Sequence, residues 1–382
     1  MSAIGPGKEQ HASDQSALPH IPPLYCPISL AIHPEAKAID DATVAFMERH
    51  GLSSPHQRVR LAAVLNGMAG RLAPHGSREK VQLLSDLLLW FLNFDDLADE
   101  GALAGRPDEL LGLMLRLQRT LDAPGLPIDQ RPHTLALHEI RLRLDEIMPA
   151  QVEHWVTEMR GFFLAEAHRA VANTDTNSRR YDVSDHVLNR LYAGGALAVV
   201  ALLPGVEGIV LPPWARGNPR FQALAEIAAC ISVWDSDLFS YPKELQNDTK
   251  INNIVHVLLR AREVTEQEAV TAAVAMRNQL MDRFFSLSSA AADDETLPVA
   301  RYARCLAQYL RGALDWYLLT TRYQAPAGRS TLLPDVCDSP APPTDLRTPM
   351  GIPSIAWWWD DDITSGHRPP QPGVPTDRAH QE

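Results

Sequence analysis

The decapeptide FLNFDDLADE, Phe91 to Glu100, puts Asp95, Asp96, Asp99 and Glu100 at the end of an apolar run. On a helix Asp95 and Asp99 share one face and Asp96 and Glu100 form the adjacent stripe. Burying carboxylates is expensive unless something positive meets them. These acids also sit at the unfavourable end of a helix dipole. As hard oxygen ligands they suit Mg²⁺, which takes carboxylates together with waters and phosphate oxygens. The plain alternative is a solvated helix end.

Three further patches carry chemistry. In WDSDLFSYPKE, residues 234–244, Ser236, Ser240 and Glu244 recur every four positions and share a helix face, with Lys243 beside them as a point charge for a phosphate. In LNRLYAGGALAVV, Arg190 enters an apolar run just before Ala193, Gly194 and Gly195, where paired glycines weaken a helix and expose carbonyls. In DWYLLTTRY, Arg322 and Tyr323 close a helix that also carries Trp316. Each has a bland counterpart: serines facing solvent, tight packing at the glycines, and an arginine drawn to a helix C-terminus.

The elements that must position these residues read as helix after helix. Apolar residues recur at three and four over 37–50, 57–72, 79–99, 107–122, 150–173, 183–203, 218–238, 265–290 and 298–323. Alternating strands and internal repeats are not apparent. Pro242 is expected to kink its helix or remove one of its hydrogen bonds. The expected organisation is a polar, disordered tail over 1–20, one all-α domain over 21–330, and a proline-rich tail over 331–382. That last stretch holds 10 of the 30 prolines and cannot support long helices. Three adjacent tryptophans in SIAWWWDDDITSG are expected to dock on the body.

Composition narrows the function classes. With 382 residues, 45% of them hydrophobic, the chain can bury a large core. A net charge of −12 argues against nucleic-acid binding and gives no basic membrane patch. Cys26, Cys230, Cys305 and Cys337 are scattered, without the spacing of a zinc site or a disulfide framework. The first 20 residues lack the apolar stretch of a signal peptide. Pro204 and Glu207 interrupt the most membrane-like run, 191–211. The expectation is a cytoplasmic protein with no stable membrane anchor, and both monomer and homodimer stay open.

Taken together, the four patches resemble the bacterial class I terpene synthases. DDLADE is similar to that family's aspartate-rich motif at Asp95, Asp96 and Asp99, with Glu100 as a further acid. SDLFSYPKE resembles its second metal motif. Arg190 lies 46 positions before Ser236, where the family has its diphosphate sensor, and Gly194 matches the effector position. Arg322 and Tyr323, with Trp316 upstream, resemble the C-terminal diphosphate clamp. The resemblance covers about residues 25–325. One departure stands out: Ser236 replaces the Asn or Asp that opens the second motif. Asp235, Asp237 or a water are the candidate substitutes for it.

The resemblance implies an α-helical bundle around an apolar cavity. It also implies three Mg²⁺ held by Asp95, Asp99, Glu100, Ser236, Ser240 and Glu244. The implied substrate is an isoprenyl diphosphate, most simply farnesyl diphosphate, gripped by Arg190, Lys243, Arg322 and Tyr323. Its ionisation would leave an allylic cation for aromatic faces to stabilise, with Phe91, Trp316, and Phe162 or Phe163 as candidates. The alternatives are a mono- or diterpene synthase, a chain-elongating prenyltransferase, whose second aspartate-rich motif is missing from 234–244, and a non-catalytic isoprenoid binder, favoured only by Ser236.

Overall fold

A computed structural model describes residues 19–99, 101–174, 182–247, 253–289, 298–323, 333–339, 349–360 and 363. Its helices are α1 (Ala36–Arg49), α2 (Arg58–Leu65), α3 (Met68–Leu72), α4 (Arg78–Asp99), α5 (Pro107–Asp122), α6 (Pro132–Ile147) and α7 (Val152–Thr174). They continue with α8 (Val183–Tyr192), α9 (Ala196–Val206), α10 (Pro219–Asn247), α11 (Ile254–Arg262), α12 (Glu266–Ser289) and α13 (Pro298–Leu319). The all-α expectation holds. Among the described residues the one departure is a parallel pair of two-residue strands, β1 (Leu24–Tyr25) and β2 (Val336–Cys337), which joins the segment before α1 to the segment after α13. Two residues are too short for alternation to show in sequence.

Local chemistry sets the helix ends. Asp182 caps α8 by accepting from the Asp185 amide at 2.8 Å, and Asn253 caps α11 by accepting from the Val255 amide at 2.9 Å. Pro107 opens α5, followed by Asp108 and Glu109 in its first turn. The periodic run 57–72 is divided by Asn66 and Gly67, both left-handed. Helices α6 and α11 are additions to the sequence reading. Pro242 lies inside α10, which runs on past it to Asn247.

The apolar run 183–203 is broken. Gly194 and Gly195 adopt φ of 80° and 71° and separate α8 from α9. Glycine is required at Gly195 for a second reason: a Cβ there would lie 2.8 Å from the Phe91 ring. The stretch Val183–Val206 is apolar and long enough to cross a membrane, but 78% of its most apolar window is buried inside the protein.

The core is continuous. α13 packs on α3 and α10, α10 also on α12, α4 on α1 and α6, and α7 on α5 and α9. At Gly312 the α13 backbone comes so near α3 that a Cβ would lie 2.1 Å from the Arg71 carbonyl oxygen. Trp90, Trp155 and Trp234 are fully buried. Among the three adjacent tryptophans, Trp358 is fully buried against the body, as expected for that segment. The remainder of the 331–382 tail lies largely outside the described residues, as does the 1–18 stretch.

Candidate active site

A cavity of about 540 Å³ opens between α4, α7, α8, α10 and α13. Its wall includes Asp95, Asp96 and Asp99 from α4, and Ser236, Ser240, Lys243 and Glu244 from α10. Arg190, Gly194, Phe91, Trp316, Arg322 and Tyr323 line the same cavity. The described residues of the four sequence patches that were assigned to metal, diphosphate or cation therefore meet in one place. Glu100 lies outside the described residues. Phe162 also lines the cavity, whereas Phe163 packs behind it on Phe94 and Phe162.

The acids of α4 are met by arginines. Arg322 donates to Asp95 at 3.0 Å and to Asp96 at 2.8 Å. Arg169 of α7 pairs with Asp99, lies 3.8 Å from Asp95, and donates to Glu166 at 2.5 Å. Asp99 keeps 38% of its side chain accessible. Protein packed around it nonetheless opposes its charge, and this burial, with the Asp95 charge, pushes its pKa up to about 7 against the pull of Arg169.

Sequence reasoning missed Glu166 and Arg169. Both line the cavity, and Glu166 also accepts from the Gly194 amide at 3.4 Å. A signal was present: Phe162, Glu166 and Arg169 fall at i, i+4 and i+7 and so share one helical face.

The α10 wall is built on buried acids. Asp235 turns away from the cavity into a bidentate pair with Arg277, at 2.8 and 3.1 Å. Asp237 accepts from Arg190 at 2.6 Å and from the Ile254 amide at 3.0 Å, with His186 Nε2 at 3.2 Å. Burial opposes ionisation of Asp237, yet Arg190 and His186 outweigh it and hold the carboxyl below its ordinary range. Burial likewise opposes the charge on Arg190, and Asp237 more than restores it. Asp235 thus drops out as a substitute ligand for Ser236, because both its oxygens are engaged behind the helix. The oxygens of Asp237 are likewise taken.

What α10 offers the cavity is softer. Ser240 donates to Glu244 at 2.6 Å, and burial raises the Glu244 pKa. The Ser236 hydroxyl lies 3.3 Å from the Tyr323 hydroxyl. The Arg190 Nε is buried with no hydrogen-bond partner, a donor suited to an anionic oxygen.

The floor of the cavity is apolar and aromatic. Trp316 is fixed by donating from its indole nitrogen to the Val64 carbonyl at 2.8 Å, and its ring abuts Tyr317 and Tyr323. Phe91 and Phe162 meet edge to face with centroids 5.0 Å apart.

Among the described residues no three Asp, Glu, His or Cys side chains converge on one point. The donor set still fits magnesium. That ion keeps several waters and takes only one or two protein carboxylates beside phosphate oxygens. Asp95 and Asp99 both line the cavity, and burial together with the Asp95 charge opposes ionisation of Asp99, an opposition that a bound cation would relieve.

Comparison with known proteins agrees with this chemistry. Residues 86–283 match the family described as terpene synthase family 2, C-terminal metal binding. The chain is 31% identical to a (+)-(1(10)E,4E,6S,7R)-germacradien-6-ol synthase of Streptomyces pratensis, over 91% of this chain and 98% of that protein. It is also 31% identical to a (+)-T-muurolol synthase of Streptomyces clavuligerus, named as (2E,6E)-farnesyl diphosphate cyclizing, over 88% of this chain and 81% of the relative. The crystal structure of SVS_A2, a protein from ancestral sequence reconstruction, superposes with a TM-score of 0.75 at 28% identity, covering 90% of this chain and 99% of that one.

Proposed function

We propose that this chain, which belongs to the bacterial terpene synthase family and is a class I terpene cyclase, ionises farnesyl diphosphate and cyclises the resulting allylic cation, releasing diphosphate. The observation that carries this reading is one cavity that combines two acidic walls with an aromatic, apolar floor. The choice of farnesyl diphosphate is supported by the T-muurolol synthase, whose name states that substrate.

Asp95 and Asp99 on α4, with Ser236, Ser240 and Glu244 on α10, would hold magnesium, taken as three ions, which neutralises charge on the departing diphosphate. The chain's own cations do the rest of the anion binding. Arg190 offers its unpartnered Nε and a planar fork. Lys243, Arg322 and Tyr323 stand on the same rim. As the carbon–oxygen bond breaks, its electron pair leaves with the diphosphate and the positive charge stays on the allyl group. The faces of Phe91, Phe162 and Trp316 stabilise that charge. Leu72, Leu88 and Val199 in the same lining keep water from quenching it. We place this activity in the cytoplasm, in keeping with the burial of the apolar α9 segment.

The test is incubation with geranyl, farnesyl and geranylgeranyl diphosphate, each with magnesium, followed by gas chromatography and a diphosphate assay. The expected result is magnesium-dependent diphosphate release with cyclic C15 products from the farnesyl substrate. Cyclic products from geranylgeranyl diphosphate alone would overturn the choice of chain length, and no release from any substrate would overturn the proposal.

A further inference from the structure

We propose that the tryptophan-bearing segment Pro353–Trp359 is a clamp that positions α8, and with it Arg190 and the break at Gly194, against the cavity. The inference rests on the reading of Arg190 as a diphosphate-binding group.

Helix α8 spans only Val183–Tyr192, and the left-handed glycines behind it sever it from α9. A short helix cut off from its continuation takes its orientation from what packs on its sides. On the body side these are α7, α10 and α11. Helix α9 and the 193–195 turn adjoin its C-terminal end, and among the described residues the 353–359 segment adds a further support from outside this helical frame. Tyr192, two residues beyond Arg190, closes the neighbouring corner. Its ring lies so near α7 that a Cβ on Gly161 would sit 2.9 Å from it.

The segment is anchored by specific bonds. The Trp358 ring is fully buried, and its indole N–H donates to Glu226 of α10 at 2.8 Å. Gln222 donates to the other Glu226 oxygen at 2.9 Å and fixes the acceptor. Arg283 of α12 donates to the Trp358 carbonyl at 2.7 Å, and Arg220 of α10 donates to the Ile363 carbonyl at 2.9 Å. One short piece of chain is thus bonded to α10 and α12 while packing on α8. The same α10 carries Asp237, which grips Arg190 at 2.6 Å from the cavity side. Arg190 is held from within by Asp237 and, through its helix, from outside by the segment that Trp358 anchors. Trp358 is not among the residues that line the cavity, so it acts as a positioning residue.

A tryptophan that only stabilised the fold would change the melting temperature and leave each folded molecule unaltered. A clamp predicts more. Inorganic diphosphate with magnesium, titrated calorimetrically well below the melting temperature, should bind Trp358→Ala about tenfold more weakly than the parent. Turnover per folded molecule should fall by a similar factor. Trp358→Phe keeps a ring in the pocket and should recover most of the loss. Glu226→Met removes only the acceptor for the indole and should give a smaller weakening in the same direction, and it decides the matter if Trp358→Ala does not fold. Diphosphate affinity within twofold of the parent in the folded variants, whatever their melting temperatures, would overturn the clamp. Because the titration uses no isoprenoid, it reads the placement of Arg190 even if the parent cyclises none of the substrates tried.

Discussion

The two acidic walls of the cavity are built in opposite ways. On α4, Asp95, Asp96 and Asp99 keep 48%, 44% and 38% of their side chains accessible, and their partners are long arginines from α7 and from the chain beyond α13. On α10, Asp235 and Asp237 are 1% and 3% accessible, and both are saturated, Asp235 by Arg277 behind the helix and Asp237 by Arg190, His186 and the Ile254 amide. Half-open ion pairs contribute about 0–1 kcal/mol and break readily. Buried ones cost about 3–5 kcal/mol to break by removing a partner. The α4 wall is therefore the adaptable one, whose arginines can yield to another cation. The α10 wall is a fixed frame that presents Ser236, Ser240 and Glu244 at set positions.

The sharpest way to break this contrast is to cut one pair on each wall. Asp237→Ala should lower stability by about 3–5 kcal/mol in denaturant unfolding, because Arg190 is left buried without its partner. Asp96→Asn should stay within about 1 kcal/mol. Equal losses would mean that α10 is no more fixed than α4.

Activity should invert that ranking, since Asp95 and Asp99 of the adaptable wall are assigned to the metal whereas Asp235 and Asp237 of the fixed wall are not. Asp95→Asn should cut turnover about 10²–10³-fold, in the range seen when one transition-state charge contact is lost, while the melting curve hardly moves. Arg190→Lys should lose a comparable factor, because lysine keeps the charge and forfeits the planar fork. Near-parental turnover in either variant would remove that residue from the site.

Between the walls lies the floor. Trp316→Leu removes a ring face, a contribution of about 0.5–2 kcal/mol to a cation, and should shift products towards acyclic or early-quenched species. An unchanged product profile would assign Trp316 to packing, alongside its bond to Val64.

A smaller effect separates the walls by pH. In the metal-free protein burial and Asp95 raise Asp99 to about 7, whereas an unfolded aspartate titrates near about 3.9. Between those values the folded chain holds a proton that the unfolded chain has released, so stability falls as pH rises from about 4 to about 7. Asp99→Asn should flatten that fall in thermal melts. Magnesium favours the ionised carboxylate, so its stabilising effect should grow over the same window. A magnesium effect independent of pH would separate Asp99 from the metal. The smallest expected change is at Ser236. Ser236→Asn should lower the magnesium concentration needed for half-maximal turnover and Ser236→Ala should raise it, and superimposable curves would show that position 236 does not touch metal.

The adaptable and fixed walls were not equally legible. The α4 acids and the 236–244 spacing stand out because hard ligands at intervals of four are a sequence pattern. The break at Gly194 was readable because paired glycines interrupt an otherwise apolar run. Glu166 and Arg169 were not noticed, since an acid and a base three apart on a charged helix look like a surface pair until α7 is placed beside α4. The burial of Asp235 and Asp237 is a tertiary fact: their partners, Arg277 and Arg190, lie 42 and 47 positions away. Helix α6 escaped because its apolar positions are diluted by charges in LALHEIRLRLDEI, and the β1–β2 pair because two residues carry no period.

The most direct test of the two-wall account is a crystal structure grown with manganese and inorganic diphosphate, with the metal located by anomalous scattering. The account predicts manganese between Asp95 and Asp99 on one side and Ser240 and Glu244 on the other. The Arg322 bonds to Asp95 and Asp96 should be rearranged, Asp237 should be unmoved, and Arg190 should touch the diphosphate. Manganese bound away from the cavity, or ligated by Asp235 or Asp237 in place of Ser240 and Glu244, would contradict it.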